Sequence, residues 1–250
     1  MKPSEIKEML QWAKGEELES LLKSCDEDSR ATVRKLAESK RKQLEELKAE
    51  KRRVKAMLAF ENEYSDYNVI CGVDEAGRGP LAGPVVAGAV VLPKNTTILY
   101  VNDSKKLSEK KREELYDIIM SQALCVGVGV ASAELIDEIN ILQATYEAMR
   151  QAIASIPLKP DLLLNDAVTI PGMGIKQVPI VKGDAKSLSI AAASIIAKVT
   201  RDRMMREYDI LFPEYGFAGH KGYGSADHIA AIKEYGPSPI HRATFIKNFV

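Results

Sequence analysis

The sequence has no surplus of charge of either sign: its 250 residues carry 35 Lys and Arg against 35 Asp and Glu. A strongly basic chain would attract nucleic acid through its overall field. The balance removes that argument, so any polyanion binding must rest on local patches. Cysteine is scarce, with only Cys25, Cys71 and Cys125, odd in number and far apart. That spacing offers neither a disulfide framework nor a thiolate metal site, and it reads as reduced thiols in a cytosolic protein. His220, His228 and His241 are not at metal-binding spacing and receive no catalytic role. No apolar run reaches the roughly 18 residues of a membrane-spanning helix, and Met1 opens no cleavable signal, so the expected location is the cytoplasm. Internal repeats and low-complexity tracts are absent as well.

Glycine and proline are nearly missing from residues 1–66, which hold only Gly15 and Pro3 alongside 15 Lys/Arg and 15 Asp/Glu. Such a composition favours helices with charged faces. Leu36, Leu44, Leu47 and Val54 recur at intervals that suit an amphipathic stripe. Arg30 to Lys55 carries eleven basic and four acidic residues. This is either a solvated, salt-bridged helical face or an accessory surface for phosphate backbones. Trp12 and the other aromatic residues of this segment are expected to pack rather than stack on bases.

What is present after Asp66 has an α/β texture. Tyr67 to Asp74, Pro84 to Leu92 and Leu124 to Ala131 read as strands, as do the short apolar segments Leu162 to Asn165 and Val178 to Val181. Ser108 can cap a helix through Met120, with Leu115, Ile118 and Ile119 as its buried stripe. Further helices are expected over Ser132 to Ile153, Ser187 to Tyr208 and Asp227 to Tyr235. The pattern predicts a mixed sheet covered by helices. Residues 1–66 form a charged helical extension to it, and residues 67–250 form the α/β domain with helices at its end.

The most informative stretch runs from Cys71 to Pro84. Asp74 and Glu75 close an otherwise apolar strand, where adjacent carboxylates are costly unless something positive neutralises them. Neighbouring side chains leave a strand on opposite faces, so joint action predicts a bend at Glu75, which Ala76-Gly-Arg-Gly-Pro80 can supply. Gly77 and Gly79 let backbone approach a ligand, and Arg78 can fix that loop or reach a phosphate. A dinucleotide-binding loop is the competing reading. Carboxylates directly before the glycines, Pro80 and Pro84 in place of amide donors, and a strand where a helix should start all oppose it.

Asp166 ends the apolar strand from Leu162, and Asp184 follows the next strand in Lys182-Gly-Asp-Ala-Lys186. Either could be a turn or capping residue, Asp184 for the helix beginning near Ser187. As a set, four acids without a His or Cys partner point to Mg²⁺ or Mn²⁺. Two such ions can activate water and stabilise the leaving oxygen of a phosphodiester. Asp202 lies well inside a helix and is expected in a structural salt bridge.

Five blocks carry a more specific likeness. Val73 to Pro84, Asn102-Asp-Ser-Lys-Lys-Leu-Ser108, Lys182 to Asp202, His220-Lys-Gly-Tyr-Gly-Ser225 and Pro239 to Phe245 together resemble bacterial ribonuclease HII. The likeness runs in order from Tyr67 to Phe245 and leaves the N-terminal segment outside it. It implies an RNase H-like fold and an endonuclease that cuts 5′ to ribonucleotides in RNA–DNA hybrids and at single ribonucleotides in duplex DNA. A two-metal mechanism would leave 3′-hydroxyl and 5′-phosphate ends. The implied ligands are Asp74, Glu75, Asp166 and Asp184, although Ala167 stands where the family often has glycine. Gly77, Arg78 and Gly79 would read the 2′-hydroxyl, and Tyr223 would pack on the adjoining deoxyribose. Lys105, Lys106, Lys186 and Lys221, with Lys182 and Lys198, would hold phosphates. A monomer is expected. The alternatives are a ribonuclease HIII-like hybrid nuclease and a non-catalytic hybrid-binding protein.

Overall fold

The computed structural model describes residues 1–250, which fall into two compact units, Met1–Arg53 and Val54–Val250. The first is helical. Helices α1 (Pro3–Trp12), α2 (Gly15–Asp26) and the beginning of α3 (Ala31–Ala56) enclose a small core of Ile6, Leu10, Leu18, Leu22, Cys25, Val33 and Ala37. Trp12 takes no part in that core and is 70% exposed, contrary to the packing role expected of it. Some of the charges of this unit pair on its surface, as in Arg41–Asp26 at 2.5 Å and Lys48–Glu45 at 3.0 Å.

The second unit is built on a five-stranded mixed sheet in the order β3-β2-β1-β4-β5. Its strands are β1 (Ile70–Ala76), β2 (Val85–Val91), β3 (Cys125–Ala131), β4 (Leu162–Asp166) and β5 (Lys176–Ile180). The first three pair antiparallel, and β4 and β5 continue parallel to β1. All seven residues of β2, Val-Val-Ala-Gly-Ala-Val-Val, are buried, as a central strand covered on both faces requires. The helices of this unit are α4 (Ala59–Glu63), α5 (Glu109–Gln122), α6 (Ala133–Ala154), α7 (Leu188–Leu211), α8 (Phe217–His220), α9 (Ala226–Tyr235) and α10 (Ala243–Ile246).

Helix α6 covers one face of the sheet through Ala144, Ala148, Met149 and Ala152, and α7 covers the other through its alanine run and Ile195 and Ile196. The approach of α7 is set by glycine. A Cβ on Gly72 would lie 2.1 Å from the carbonyl carbon of Ser189, and one on Gly88 would lie 2.4 Å from the oxygen of Ala193. Backbone cannot yield as a side-chain tip does, so any larger residue there would push the helix off the sheet, at a cost of about 1–3 kcal/mol or more. The start of α7 is clamped. Glu61 Oε1 accepts from Ser187 Oγ at 2.7 Å, Ser189 Oγ at 2.7 Å and the Ser189 amide at 3.0 Å. Thus one rigid helix carries Ser194, Lys198, Arg201 and Asp202 to defined places behind the ends of β1 and β4.

Candidate active site

The parallel pair β1–β4 brings two of the acids together. Its last matched residues are Val73 and Asn165, and the residues that follow are Asp74 and Asp166, at the carboxyl ends of neighbouring strands. This is where open α/β sheets place their ligands. The expected bend at Glu75 is absent. Glu75 and Ala76 keep regular antiparallel register with Ala87 and Val86, and the turn begins only at Gly77, with φ +96°. The adjacent acids communicate through backbone instead, the Glu75 amide donating to Asp74 Oδ1 at 2.7 Å.

Asp74 is 5% exposed, and no basic side chain pairs with it. Burial, followed by the charges of Glu75 and Asp166, pushes its carboxyl well above the usual carboxylate range, against a hydrogen bond from Ser194. Glu75 is also raised, by burial first, although Arg78 beside it at 3.3 Å pulls the other way. Asp166 Oδ1 accepts the Gly183 amide at 2.7 Å, which ties the end of β4 to the short 3-10 turn Gly183–Ala185 that carries Asp184. Asp184 does not cap the following helix, because the Ser187 hydroxyl accepts the Ile190 amide in that role. Its carboxyl is raised by partial burial, then by Asp103 and Asp166.

No three of the acids converge into a closed cage. Mg²⁺ characteristically takes one or two protein carboxylates and fills its shell with water and phosphate oxygens, so it needs no such cage. The donor set is all oxygen and acidic, and it includes a buried carboxyl with no positive partner. It fits a hard divalent cation.

Two adjoining depressions open beside the acids and share Lys105. One, of about 500 Å³, is bounded by Glu75, Gly77, Arg78, Gly79 and Tyr223, with Lys198 and Phe245 further back. The other is bounded by Asp103, Lys106, Asp166, Lys182 and Asp184. A Cβ on Gly79 would lie 3.9 Å from the Tyr223 ring, so loop and tyrosine face each other across the opening. Lys186 and Lys221 line neither depression, and the Lys221 ammonium is engaged by the Ala218 carbonyl. Asp202 is an internal ion-pair residue, 2.6 Å from Lys198 and 3.6 Å from Arg112.

Several residues of the site escaped the sequence reading. Asp103 lies in the segment Asn102–Ser108 but was given no role, and its only signal was its place one residue before Ser104-Lys-Lys106. Ser194 was hidden among the small residues of α7. Arg201 and Arg242 are fully buried behind Gly77–Pro84, where composition alone would have put arginines on the surface. The histidines, remote in sequence, converge. His228 Nδ1–H donates to the Tyr223 carbonyl at 2.9 Å, and its Nε2 accepts from His241 Nε2–H at 3.0 Å. His241 Nδ1 accepts the Ser238 amide at 2.9 Å. His220 Nδ1 accepts the Gly222 amide at 3.1 Å and its Nε2–H donates to the Tyr215 carbonyl at 2.8 Å. This pattern assigns a neutral tautomer to each ring. Burial depresses His228, and burial with His228 alongside pushes His241 down to about 4.

The model of the family described as ribonuclease HII matches residues 71–248, and the model of the ribonuclease HII N-terminal domain matches residues 4–65. The chain is 66% identical over 221 residues to ribonuclease HII of Lachnoclostridium phytofermentans, spanning 88% of this chain and 87% of that one. It is 53% identical over 248 residues to ribonuclease HII of Clostridioides difficile, spanning 98% and 97%. Among solved structures it resembles ribonuclease H2 from Pyrococcus horikoshii, with a TM-score of 0.61 and 30% identity over 73% of this chain and 97% of that one. Family models, near-full-length relatives and fold agree with the acidic site at the sheet's edge, and the chain belongs to the ribonuclease HII family of hydrolytic nucleases.

Proposed function

We propose that this chain hydrolyses the phosphodiester on the 5′ side of a ribonucleotide, in RNA–DNA hybrids and at single ribonucleotides embedded in duplex DNA. The products would carry 3′-hydroxyl and 5′-phosphate ends. The observation that carries the proposal is Asp74: a buried carboxyl without a positive partner, flanked by Glu75, which lines one depression with Gly77–Gly79 and Tyr223, and by Asp166, which lines the other.

Asp74, Glu75, Asp166 and Asp184 would hold two Mg²⁺ or Mn²⁺ ions, in keeping with the divalent-metal dependence of the family. When bound, the ions supply the positive charge that activates water and steadies the departing oxygen. The remaining work belongs to the chain's own residues. Ser194 and the Glu75 amide orient the Asp74 carboxyl. Arg78 and Lys105 neutralise Glu75 and draw in the phosphate. The close backbone of Gly77–Gly79 reads the 2′-hydroxyl, the one group that separates the two sugars, and Tyr223 packs on the neighbouring deoxyribose. Lys106 holds flanking phosphates. With the ammonium of Lys221 turned to Ala218 and Lys186 outside the opening, those two act at most on distant phosphates.

The N-terminal unit serves as a substrate-affinity element, with Lys35, Lys51 and Arg52 exposed and outside any ion pair. Removing Met1–Arg53 should raise KM more than it lowers kcat. A truncation at Glu63 would also delete Glu61 and loosen the start of α7, confusing the two effects.

A labelled DNA duplex with a single ribonucleotide, incubated with Mg²⁺, Mn²⁺ or chelator, tests the whole reading. A metal-dependent cut 5′ to the ribonucleotide, and none in all-DNA, is the expected result. Cutting confined to long hybrids would move the activity toward that of ribonuclease HIII. Binding without cutting in any metal would make the chain a hybrid-binding protein.

A further inference from the structure

Beneath the opening lie two arginines that the proposed chemistry does not use. Arg201 is 1% exposed and Arg242 is fully buried. Neither forms a salt bridge, since the nearby Asp202 is already taken by Lys198 and Arg112. Their donors all go to main-chain carbonyls. Arg242 reaches Gly77 at 2.5 Å, Arg78 at 2.8 Å and Gly83 at 2.8 Å and 3.0 Å. Arg201 reaches Ala82 at 3.1 Å, Pro84 at 2.9 Å and, on the other arm of the opening, Lys221 at 2.9 Å.

From these contacts we infer that Arg201 and Arg242 are positioning residues for ribonucleotide recognition, a buried two-guanidinium clasp that fixes the Gly77–Pro84 loop and the Lys221–Gly222 turn in one mutual arrangement. The inference rests on the reading that Gly77–Gly79 and Tyr223 contact the ribonucleotide.

Three features support it over a role in fold stability alone. First, the carbonyls of Gly77, Arg78, Ala82, Gly83 and Pro84 are all drawn inward, while the exposed amides of Arg78 and Gly79 donate to nothing within the chain. The exposed tip of a loop so held offers the Arg78 and Gly79 amides to a ligand. Second, the two arms are joined directly as well, the amides of Leu81 and Ala82 donating to the Gly222 carbonyl at 2.8 Å and 3.3 Å and the Arg242 amide to Leu81 at 2.9 Å. One clasp therefore sets the spacing between the glycine loop and Tyr223. Third, two neighbouring guanidiniums without a carboxylate are a costly way to fill a core, and apolar residues would stabilise it better. Burial, and then Arg201 alongside, pushes Arg242 down from its ordinary value. Asp137 offsets that charge in part, from beyond ion-pair contact, and the guanidinium lies under the surface where a phosphate would rest.

The test compares the full-length protein with R201K and R242K. The lysines keep the charge but cannot span several carbonyls. Four quantities are read for each: kcat and KM on the single-ribonucleotide duplex, metal-free affinity for all-DNA duplex, amide exchange of residues 77–84 and 220–224, and thermal midpoint. The clasp predicts a KM raised about tenfold with kcat changed less than about threefold, all-DNA affinity unchanged, and faster exchange confined to the two segments. Should R242K prove too unstable to assay, R201K carries the comparison. Loss of ribonucleotide and all-DNA affinity in equal proportion would overturn the inference, as would an unchanged KM despite faster exchange. Failure of the underlying reading looks different, because the wild-type protein itself would then not distinguish the two duplexes.

Discussion

The two ends of one opening solve opposite electrostatic problems. At the acidic end, Asp74, Glu75, Asp166 and Asp184 gather negative charge with little inside the protein to balance it, and their carboxyls are pushed toward the protonated form where a shift is resolved. At the far end, Arg201, Arg242 and the three histidines are as buried, yet nearly every polar atom there has a partner at ordinary hydrogen-bond distance. The first end is left unfinished and can gain from a ligand. The second is complete and gains from rigidity. A site that must bind cations and also measure a sugar needs both, because pre-organisation of the reading surface is wasted unless the reacting end can still attract its ions.

The sharpest way to break this contrast is Asp74→Asn. Metal-dependent incision should fall about a thousandfold or more. The metal-free protein should nevertheless become more stable. The folded carboxyl of Asp74 is held above its unfolded value, so it stabilises the fold only at low pH and penalises it as pH rises through the folded value. Asparagine removes the penalty, and the thermal midpoint at neutral pH should rise by roughly 2–4 °C in chelator, measured by calorimetry. A drop instead would mean that Asp74 is balanced internally after all.

At the finished end the sign reverses. His241→Ala leaves the Ser238 amide and His228 Nε2 without partners and opens a hole, and the midpoint should fall by about 5–10 °C. Acid should loosen the same end without mutation. His241 titrates near 4 when folded and about 6.5 when unfolded, so its contribution is complete above about 6.5 and is lost as pH falls toward 4. A midpoint roughly 5 °C lower at pH 5 than at pH 7, and a smaller difference in His241→Ala, would locate the effect. The smallest change expected is in the N-terminal unit. Arg41→Ala removes a pair that is half exposed on both sides, and calorimetry should find no resolvable shift.

Much of this was legible in the chain, and for physical reasons. Burial on both faces makes a strand apolar throughout, so Val85–Val91 announced itself. The extent of α7 and the helix over Ser132–Ile153 followed from local rules, and the mixed sheet followed from their alternation, although the cap of α7 fell to Ser187 and not Asp184. Asp74 and Glu75 stood out because carboxylates ending an apolar strand need a reason. Three things were hidden. The bend at Glu75 was inferred from regular strand geometry, whereas the chain lets the acids interact through a backbone amide and turns two residues later. The histidine cluster depends on long-range packing of α8, α9 and the loop before α10, which no spacing rule reports. Arg201 and Arg242 were invisible because a sequence shows a charge but not which main-chain oxygens await it.

Gly77 and Arg201 share one small volume: the arginine's Nε occupies the space a side chain at position 77 would need. The dependence runs one way. A lineage that shortens the side chain at 201 still gains no freedom at 77, because φ is +96° there and the Pro84 carbonyl oxygen would lie 2.7 Å from any Cβ. A lineage that keeps the arginine has no freedom at 77, however distant its other residues become. Across relatives glycine at 77 should therefore persist even where 201 changes.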